Sequence, residues 1–229
     1  MKTIAERVIA FNSELHYKGS LPEGFGVLNP FRENPETMEV MAKFYRKFYN
    51  DTKERKFLIG INPSRHGAGL TGVPFTDTKR LEKVCGIKMD SVYSHEPSSV
   101  FLYEVIEQYG GPEKFYKDIY INSPFPLAII RRAENGKWLN VNYYDDAQLY
   151  EAVKPFMIES LKQHIEIGVR TDKVYVLGKK NLNFLQKINK EAKLFKELVC
   201  VEHPRYIQQY KSKDKAFYID KYLLTLKSV

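Results

Sequence analysis

The sequence predicts an α/β fold: a central, mainly parallel four-stranded sheet flanked by helices in three layers, with a small hairpin insertion. Short apolar runs typical of buried strands alternate along the chain with amphipathic helical patterns. Such alternation implies βαβ crossovers and therefore a parallel sheet. With 229 residues, of which 43% are hydrophobic, the chain can form one sizeable domain or two small ones.

The N-terminal part of the chain is predicted to lead into the sheet through helices. Apolar residues recur at helical spacing over 4–17. The stretch 19–35 is rich in glycine and proline, and we expect it to be an ordered loop. A second helix is predicted over 35–50, because Asn34 can cap it and Pro35 suits the first helical position.

The sheet itself is assigned from four apolar runs. These predicted strands cover 56–61, 118–122, 174–177 and 198–201. Helices are predicted at 77–84, 99–109, 146–168, 180–191 and 214–226. Asn135-Gly136 lies between two further runs, 127–132 and 138–144, and Asn-Gly in that setting indicates a hairpin.

Polar residues follow three of the four predicted strands. Asn62 comes directly after the first strand, Asn122 ends the second, and His203 follows the last. Parallel sheets bind their ligands outside the carboxyl ends of the strands. Each residue alone fits an ordinary turn, but the three together predict one shared crevice.

A glycine-rich loop connects Asn62 to the aromatic residue Phe75. Gly67, Gly69 and Gly72 would let backbone N–H groups approach a ligand closely, because glycine tolerates the φ angles that such loops need. The alternative is an ordinary βα turn with spare glycines.

The composition limits the classes of function. The net charge of +8 favours a polyanionic partner, with nucleic acid first and an anionic membrane surface second, although a basic protein without such a partner is also consistent with it. The two cysteines, Cys85 and Cys200, cannot supply a four-cysteine zinc or iron–sulfur site, and the five histidines lack metal-binding spacing. We therefore expect neither a metal nor a cofactor.

Targeting signals are also lacking in the sequence. It contains no run of 18 apolar residues, and the first residues do not form the apolar stretch of a secretion signal. We expect no membrane association, and a location in the cytoplasm, with the nucleoid of a bacterial-type cell, or in the nucleus.

Positive charge is concentrated in residues 179–221. This segment has eleven Lys and Arg residues against five Asp and Glu residues, a net charge of +6, and it surrounds His203. We expect a DNA backbone to lie along it, with binding that weakens steeply as salt rises. The alternative is a solvated helical surface.

Three motifs in order resemble the uracil-DNA glycosylase superfamily, in particular its single-strand-selective monofunctional branch. The first comprises Gly60-Ile61-Asn62-Pro63-Ser64-Arg65-His66-Gly67 and Thr71-Gly72-Val73-Pro74-Phe75. The second is Ile121-Asn122-Ser123-Pro124-Phe125-Pro126-Leu127, and the last is His203-Pro204-Arg205-Tyr206. The resemblance spans roughly 55–210, so we expect one glycosylase-like domain over 1–229, with 1–54 as helical lead-in and 211–229 as C-terminal helix.

The resemblance implies a role for each matched residue. Asn62 would position the attacking water, and His203 would donate to the uracil O2 as charge builds there. Asn122 would pair with N3–H and O4 of the base, and Phe75 would stack on its face.

Further residues join the expected site through the same motifs. Pro63, Ser64 and Gly72 would complete the base pocket, and the remaining set would contact DNA. That DNA-binding set is Arg205, Tyr206, Arg65 and His66, with Tyr210 as a further candidate to fill the space of a flipped base.

The chain also departs from the pattern of the branch. Ser64 replaces a glycine, Arg65 and His66 replace a Pro-Phe pair, and the last motif lacks an inserted Ser-Pro. These positions bear on the range of bases accepted and on how DNA is opened.

The function implied by the resemblance is a monofunctional DNA glycosylase. It would flip uracil, and also xanthine or hypoxanthine, out of DNA and hydrolyse the N-glycosidic bond, leaving an abasic site. We expect a monomer whose partner is DNA. Two alternatives stay open: a catalytically weak or inactive DNA-binding module of the same fold, and a hydrolase of free nucleosides.

Overall fold

The structure, a computed structural model, describes residues 1–228. Its helices are α1 (Ile4–Glu14), α2 (Pro30–Glu33), α3 (Pro35–Phe48), α4 (Ala68–Thr71), α5 (Thr78–Lys83), α6 (Pro97–Tyr109), α7 (Pro112–Asp118), α8 (Ala147–Ile167), α9 (Lys179–Ala192), α10 (Pro204–Tyr210) and α11 (Lys215–Lys227). Its strands are β1 (Phe25–Leu28), β2 (Arg55–Ile59), β3 (Ile119–Asn122), β4 (Ala128–Arg132), β5 (Trp138–Val141), β6 (Val169–Leu177) and β7 (Glu197–Val201).

A four-stranded parallel sheet in the order β3-β2-β6-β7 forms the centre of the fold. Helices α7, α8 and α9 pack against its strands. The predicted fold class is confirmed. The central residues of β2 and β3 and the carboxyl-terminal half of β6 are buried and apolar, as expected when helices cover a parallel sheet.

The register of the four parallel strands aligns their carboxyl ends at one edge of the sheet. Ile59 at the end of β2 lies opposite Asn122 of β3 on one side and Val176 of β6 on the other. Leu177 of β6 lies opposite Val201 of β7. The residues that leave these strands therefore start from a common edge.

The hairpin insertion is confirmed, but it belongs to a larger unit than predicted. Strands β4 and β5 pair antiparallel, and β1 adds to β4 to give a second, three-stranded sheet. The prediction of a loop over 19–35 is wrong for β1 and for the short helix α2. Because all four residues of β1 are half-buried, the strand lacks the alternating pattern that would reveal it.

Two further helices depart from the sequence prediction. Helix α7 was not predicted, although Pro112 occupies its first turn, a position that proline favours. Helix α10 begins directly after His203, in a segment predicted only as a motif loop. The C-terminal unit expected over 211–229 includes Val229, which lies outside the described residues. Within 1–228, no helix combines the length and the apolar character of a membrane span.

A buried asparagine on α9 ties the carboxyl ends of β2 and β6 together. The Asn181 side chain is fully buried, and its Nδ2 donates to the Gly60 carbonyl at 3.0 Å and lies 3.3 Å from the Leu177 carbonyl. Its Oδ1 accepts a hydrogen bond from the Tyr143 hydroxyl at 2.7 Å. The Gly60 and Leu177 carbonyls at the carboxyl ends of these strands thus have a protein hydrogen-bond donor nearby and do not depend on water.

We predict that Asn181→Ala lowers the free energy of unfolding by about 2–4 kcal/mol, because it leaves a buried carbonyl and a buried hydroxyl without partners. Urea denaturation measures the change. Asn183→Ala is the matched control, since Asn183 lies exposed on the same helix and should change stability by less than about 0.5 kcal/mol. Equal losses in the two variants would contradict the assignment.

Candidate active site

A cavity of about 310 Å³ opens at the carboxyl edge of the parallel sheet. Its walls come from the loop after β2, the end of β3, the segment after β5, the start of α6 and the start of α10. Nine of the residues predicted for the site line it: Asn62, Pro63, Ser64, Phe75, Asn122, His203, Arg205, Tyr206 and Tyr210. The structure therefore brings the three strand ends into one crevice.

Gly72 does not lie in the cavity wall, contrary to its predicted base-binding place. It ends α4 with a φ of +68°, which glycine adopts without strain. A Cβ at this position would lie 2.7 Å from Phe31 Cε1 and 2.9 Å from Thr37 Cγ2. Gly72 is thus a buried turn that directs the chain toward Phe75.

Arg65 and His66 lie on the loop beside the cavity rather than in its wall. The Arg65 backbone N–H donates to Asn140 Oδ1 at 3.0 Å, which attaches the loop to β5. His66 is exposed; partial burial, followed by the nearby Arg65 charge, lowers its pKa. Their DNA-binding roles stay predictions.

The carboxamide of Asn62 is held by hydrogen bonds to the end of β5 and to the segment that follows it. Its Nδ2 donates to the Val141 carbonyl at 3.0 Å, and its Oδ1 accepts from the Tyr143 N–H at 3.0 Å. Nδ2 also lies 3.3 Å from the Pro63 carbonyl. An amide oxygen has two lone pairs, so one stays free to accept a further hydrogen bond in the cavity.

The side chain of Asn122 is also held by hydrogen bonds within the protein, to residues near it in the chain. Its Nδ2 donates to the Tyr120 hydroxyl at 2.9 Å, and its Oδ1 accepts from the Ser123 N–H at 2.9 Å. The Tyr120 hydroxyl lies 3.3 Å from Nδ1 of His164, whose pKa burial lowers to about 3. One N–H and one lone pair of Asn122 remain for a ligand. The hydrogen bonds to Tyr120 and Ser123 determine which side of the amide presents the donor and which side presents the acceptor.

His203 is the N-cap of α10, and that bond sets its tautomer. Nδ1 accepts a hydrogen bond from the Arg205 N–H at 3.1 Å. Burial, and then the Arg205 charge, lowers the pKa of His203 to about 4, so the ring is neutral near pH 7. Since Nδ1 is the acceptor, the single ring proton resides on Nε2, which makes that nitrogen a donor.

The ring of Phe75 forms a wall next to His203. The two ring centroids lie 5.8 Å apart. Phe75 has a φ of +53°, an uncommon conformation for a residue with a side chain and one that concentrates at functional sites. A Cβ on Gly60 would come within 3.0 Å of the Phe75 ring, so glycine at that position makes room for it.

Two carboxyl groups next to the cavity were missed in the sequence. Asp77 is fully buried and accepts hydrogen bonds from the backbone of Glu96 and Arg80, and from the hydroxyl of Ser99. An ion pair with Arg80 at 2.9 Å adds to them. Burial raises the pKa of Asp77, but these hydrogen bonds outweigh it and the net pKa is lowered.

Glu96 contrasts with Asp77. Its side chain lines the cavity, Oε1 lies 3.3 Å from Ser64 Oγ, and the solvent-inaccessible Oε2 has no hydrogen-bond partner within residues 1–228. Burial is the main cause that raises its pKa to about 7. The one signal for Glu96 in the sequence is Pro97, which follows it and favours the first turn of a helix.

Comparison with known families identifies the chain. Residues 46–227 match the model of the uracil DNA glycosylase superfamily. The chain belongs to this superfamily. It is similar to SMUG2 of Pedobacter heparinus, whose wild-type crystal structure shares 50% sequence identity, with a TM-score of 0.96 over 99% of this chain and 98% of that one. No curated protein sequence matches it.

Membership of the superfamily confirms the resemblance found in the three motifs. The chain has a DNA repair function of the uracil-DNA glycosylase type, and it is a glycosylase, hence a hydrolase. Glycosylases of this family act on DNA.

The side of this glycosylase around the cavity mouth carries exposed aromatic rings. Tyr206 and Tyr210 on α10 are 43% and 70% exposed, and both line the cavity. Their rings lie 5.7 Å apart with planes tilted by 41°. Exposed aromatic rings at the entrance to a base pocket are suited to stacking on bases.

We predict that Asp77→Asn lowers the free energy of unfolding at pH 7 by about 2–4 kcal/mol, because the new NH₂ group faces donors. The lowered pKa of Asp77 means that its contribution is present above the unfolded pKa and is lost as pH falls through the folded pKa. The difference from wild type should therefore hold from pH 7 down to the unfolded pKa of about 4 and shrink as pH falls below it.

Urea denaturation across this pH range tests the prediction. Asp90→Asn is the control, because the Asp90 side chain is 70% exposed and its contact with Lys88 is a surface ion pair. A difference for Asp77→Asn that stays constant with pH would contradict the assignment.

Proposed function

We propose that this glycosylase is monofunctional and hydrolyses the N-glycosidic bond of uracil in DNA, leaving an abasic site. The observation that supports the proposal is the meeting of Asn62, Phe75, Asn122 and His203 in one cavity, with the free hydrogen-bonding positions of both asparagines already set by the scaffold. We include the deaminated purines hypoxanthine and xanthine among its proposed substrates.

Water attack is assigned to Asn62. The bond between the sugar and the base nitrogen breaks with its electron pair going to the base, which leaves positive charge on the sugar. Water adds to the sugar carbon and releases a proton. The free lone pair of Asn62 Oδ1 orients that water; an amide does not deprotonate it as a carboxylate would.

His203 is assigned to the leaving base. Its neutral ring offers the Nε2 proton to the O2 oxygen, where negative charge develops. A donor that is already in place when charge develops stabilises the transition state more than the ground state, by about 3 kcal/mol for one such donor.

Base recognition is assigned to Asn122 and Phe75. The free lone pair of Asn122 would accept from N3–H of uracil, and its free N–H would donate to O4. Cytosine presents the reverse pattern, so it would meet donor against donor. Stacking on Phe75 contributes about 1–3 kcal/mol and offsets much of the cost of flipping the base.

DNA is expected to lie across the α10 side of the cavity. Arg205, Tyr206 and Tyr210 would contact the strand and fill the space of the flipped base. Part of the positive charge of the segment 179–221 is neutralised within the protein, because Lys180, Lys215 and Lys221 form ion pairs with acidic side chains. We propose that a monomer acts there on genomic DNA, in the bacterial-type cytoplasm or in the nucleus.

Incubation with uracil-containing oligonucleotides followed by alkali tests the activity. We expect strand breaks only after alkali, because a monofunctional enzyme leaves the backbone intact. Single- and double-stranded substrates with uracil, hypoxanthine or xanthine define the range. Salt-sensitive binding without any abasic product would instead support a binding module, and release of uracil from free deoxyuridine would support a nucleoside hydrolase.

His203→Ala should lower kcat for uracil at least a hundredfold, because the donor acts mainly in the transition state. DNA affinity should change only a few-fold. Single-turnover kinetics and binding to an uncleavable duplex separate the two quantities. His16→Ala, which alters an exposed histidine near α1, is the control. Near-wild-type turnover of His203→Ala would remove His203 from the mechanism.

Asn122→Asp should weaken uracil excision about a hundredfold, since a carboxylate cannot donate to O4 and repels the leaving anion. Comparison of kcat/KM for uracil and cytosine measures the change in selectivity. Unchanged discrimination between the two bases would contradict the role.

A further inference from the structure

Ser64 and Glu96 form a pair of polar side chains that the proposed mechanism does not use. Both line the cavity, and Ser64 Oγ lies 3.3 Å from Glu96 Oε1. The carboxyl group also lies against the loop. A Cβ on Gly67 would come 2.5 Å from Glu96 Cδ and 2.8 Å from Oε1, so glycine at this position allows the carboxyl group to lie where it does.

The hydrogen-bonding capacity of Ser64 depends on the protonation state of Glu96. Ser64 Oγ already accepts a long hydrogen bond, 3.4 Å, from the His66 N–H. If Glu96 is ionised, the Ser64 hydroxyl must donate to it. If Glu96 carries a proton, that proton can be donated to the second lone pair of Ser64 Oγ, and the serine O–H is then free for a ligand.

The surroundings of Glu96 favour the protonated form. Oε2 is out of contact with solvent and has no partner among residues 1–228, which is costly for a charge. The carboxylate of Asp77, the N-cap residue of α5, lies near Glu96 and repels a second negative charge. The hydrogen bond from Ser64, the charge of Arg205 and the N-terminus of α6 favour the ionised form, but burial outweighs them, Arg205 is exposed and Glu96 makes no capping bond.

Asp77 and Glu96 thus form two neighbouring carboxyl groups with different environments. Asp77 receives hydrogen bonds from the protein and has a lowered pKa, whereas burial raises the pKa of Glu96 to about 7. Neighbouring carboxyl groups whose environments separate them in this way commonly have different tasks.

We propose that Glu96, in its protonated form, is a positioning residue that turns the hydroxyl of Ser64 toward the base as a hydrogen-bond donor. The inference rests on the proposed function. It assigns to Ser64 the recognition of an acceptor atom on the base edge beyond the one that Asn122 reads.

The positions of hydrogen-bond acceptors on the bases determine which substrate the Ser64 hydroxyl can bind. When Asn122 pairs with N1–H and O6 of hypoxanthine, the next atom along that edge is N7, which is an acceptor. When Asn122 pairs with N3–H and O4 of uracil, the next position is C5–H, which accepts nothing. The Ser64 donor therefore favours deaminated purines and leaves uracil unaffected.

The test compares two substrates of the same enzyme. Values of kcat/KM for hypoxanthine and uracil in DNA are measured between pH 6 and pH 8.5, and uracil corrects for effects common to both bases. In wild type, the ratio of hypoxanthine to uracil should fall about tenfold as pH rises through about 7 and then level off, the loss expected for one hydrogen bond.

Two variants separate positioning from a structural role. In Glu96→Gln the amide donates to Ser64 at every pH, so the ratio should stay near the wild-type value at pH 6 and become independent of pH. In Ser64→Ala the donor is absent, so the ratio should be low and flat. A purely structural role for Glu96 would lower both activities together and leave the ratio unchanged.

The other titratable groups near Glu96 are distinguishable from it. Burial lowers the pKa values of His66 and His203, so these rings change charge at lower pH than Glu96. His95 precedes Glu96 and its side chain is 51% exposed. His95→Asn is therefore the matched control, and it should keep the wild-type pH curve.

Each outcome decides the proposal. Parallel pH profiles for the two bases, a pH-dependent ratio that persists in Glu96→Gln, or uracil excision without any hypoxanthine excision would overturn it while leaving the proposed function intact. Excision of neither base would remove the proposed function itself, and the role of Glu96 with it.

Discussion

The hydrogen-bonded register of β2 with its two neighbours is the constraint on which the cavity depends. Ile59 lies level with Asn122 and Val176, and the Gly60 N–H continues the ladder to the Asn122 carbonyl at 2.7 Å. A slip of one residue would turn Asn122 to the other face of the sheet. The site is therefore positioned by backbone pairing, and the buried Asn181 side chain secures that pairing at the carboxyl ends of β2 and β6.

Both asparagines of the site show how the scaffold prepares them. Asn62 and Asn122 each use part of their amide to bind the protein, and each keeps a donor or acceptor of defined position for a ligand. Because the protein has already ordered these groups, little reorganisation is left for the moment of reaction. His203 follows the same rule, since its bond to the Arg205 N–H determines which nitrogen carries the proton.

The sequence predicted those parts of the molecule that depend on local pattern and on topology. The parallel sheet follows from apolar runs between helices, and the convergence of Asn62, Asn122 and His203 follows from the strand-end rule. The strand Phe25–Leu28 was missed because its pairing is with β4, about a hundred residues later in the chain. Glu96 was missed because a single glutamate before a proline has no periodicity, and its special character arises only from burial against other segments.

The attachment of Asn62 to β5 has a consequence for how activity is lost. This side chain is held by the end of a hairpin whose outer residues Trp138 and Leu139 are 41% and 46% exposed, not by the strand that precedes it. Strand β5 is an edge strand of the small three-stranded sheet, and such an edge opens more readily than the central sheet of a domain. A local opening of the hairpin would free Asn62 while the parallel sheet stays folded, so inactivation by heat or denaturant can precede global unfolding.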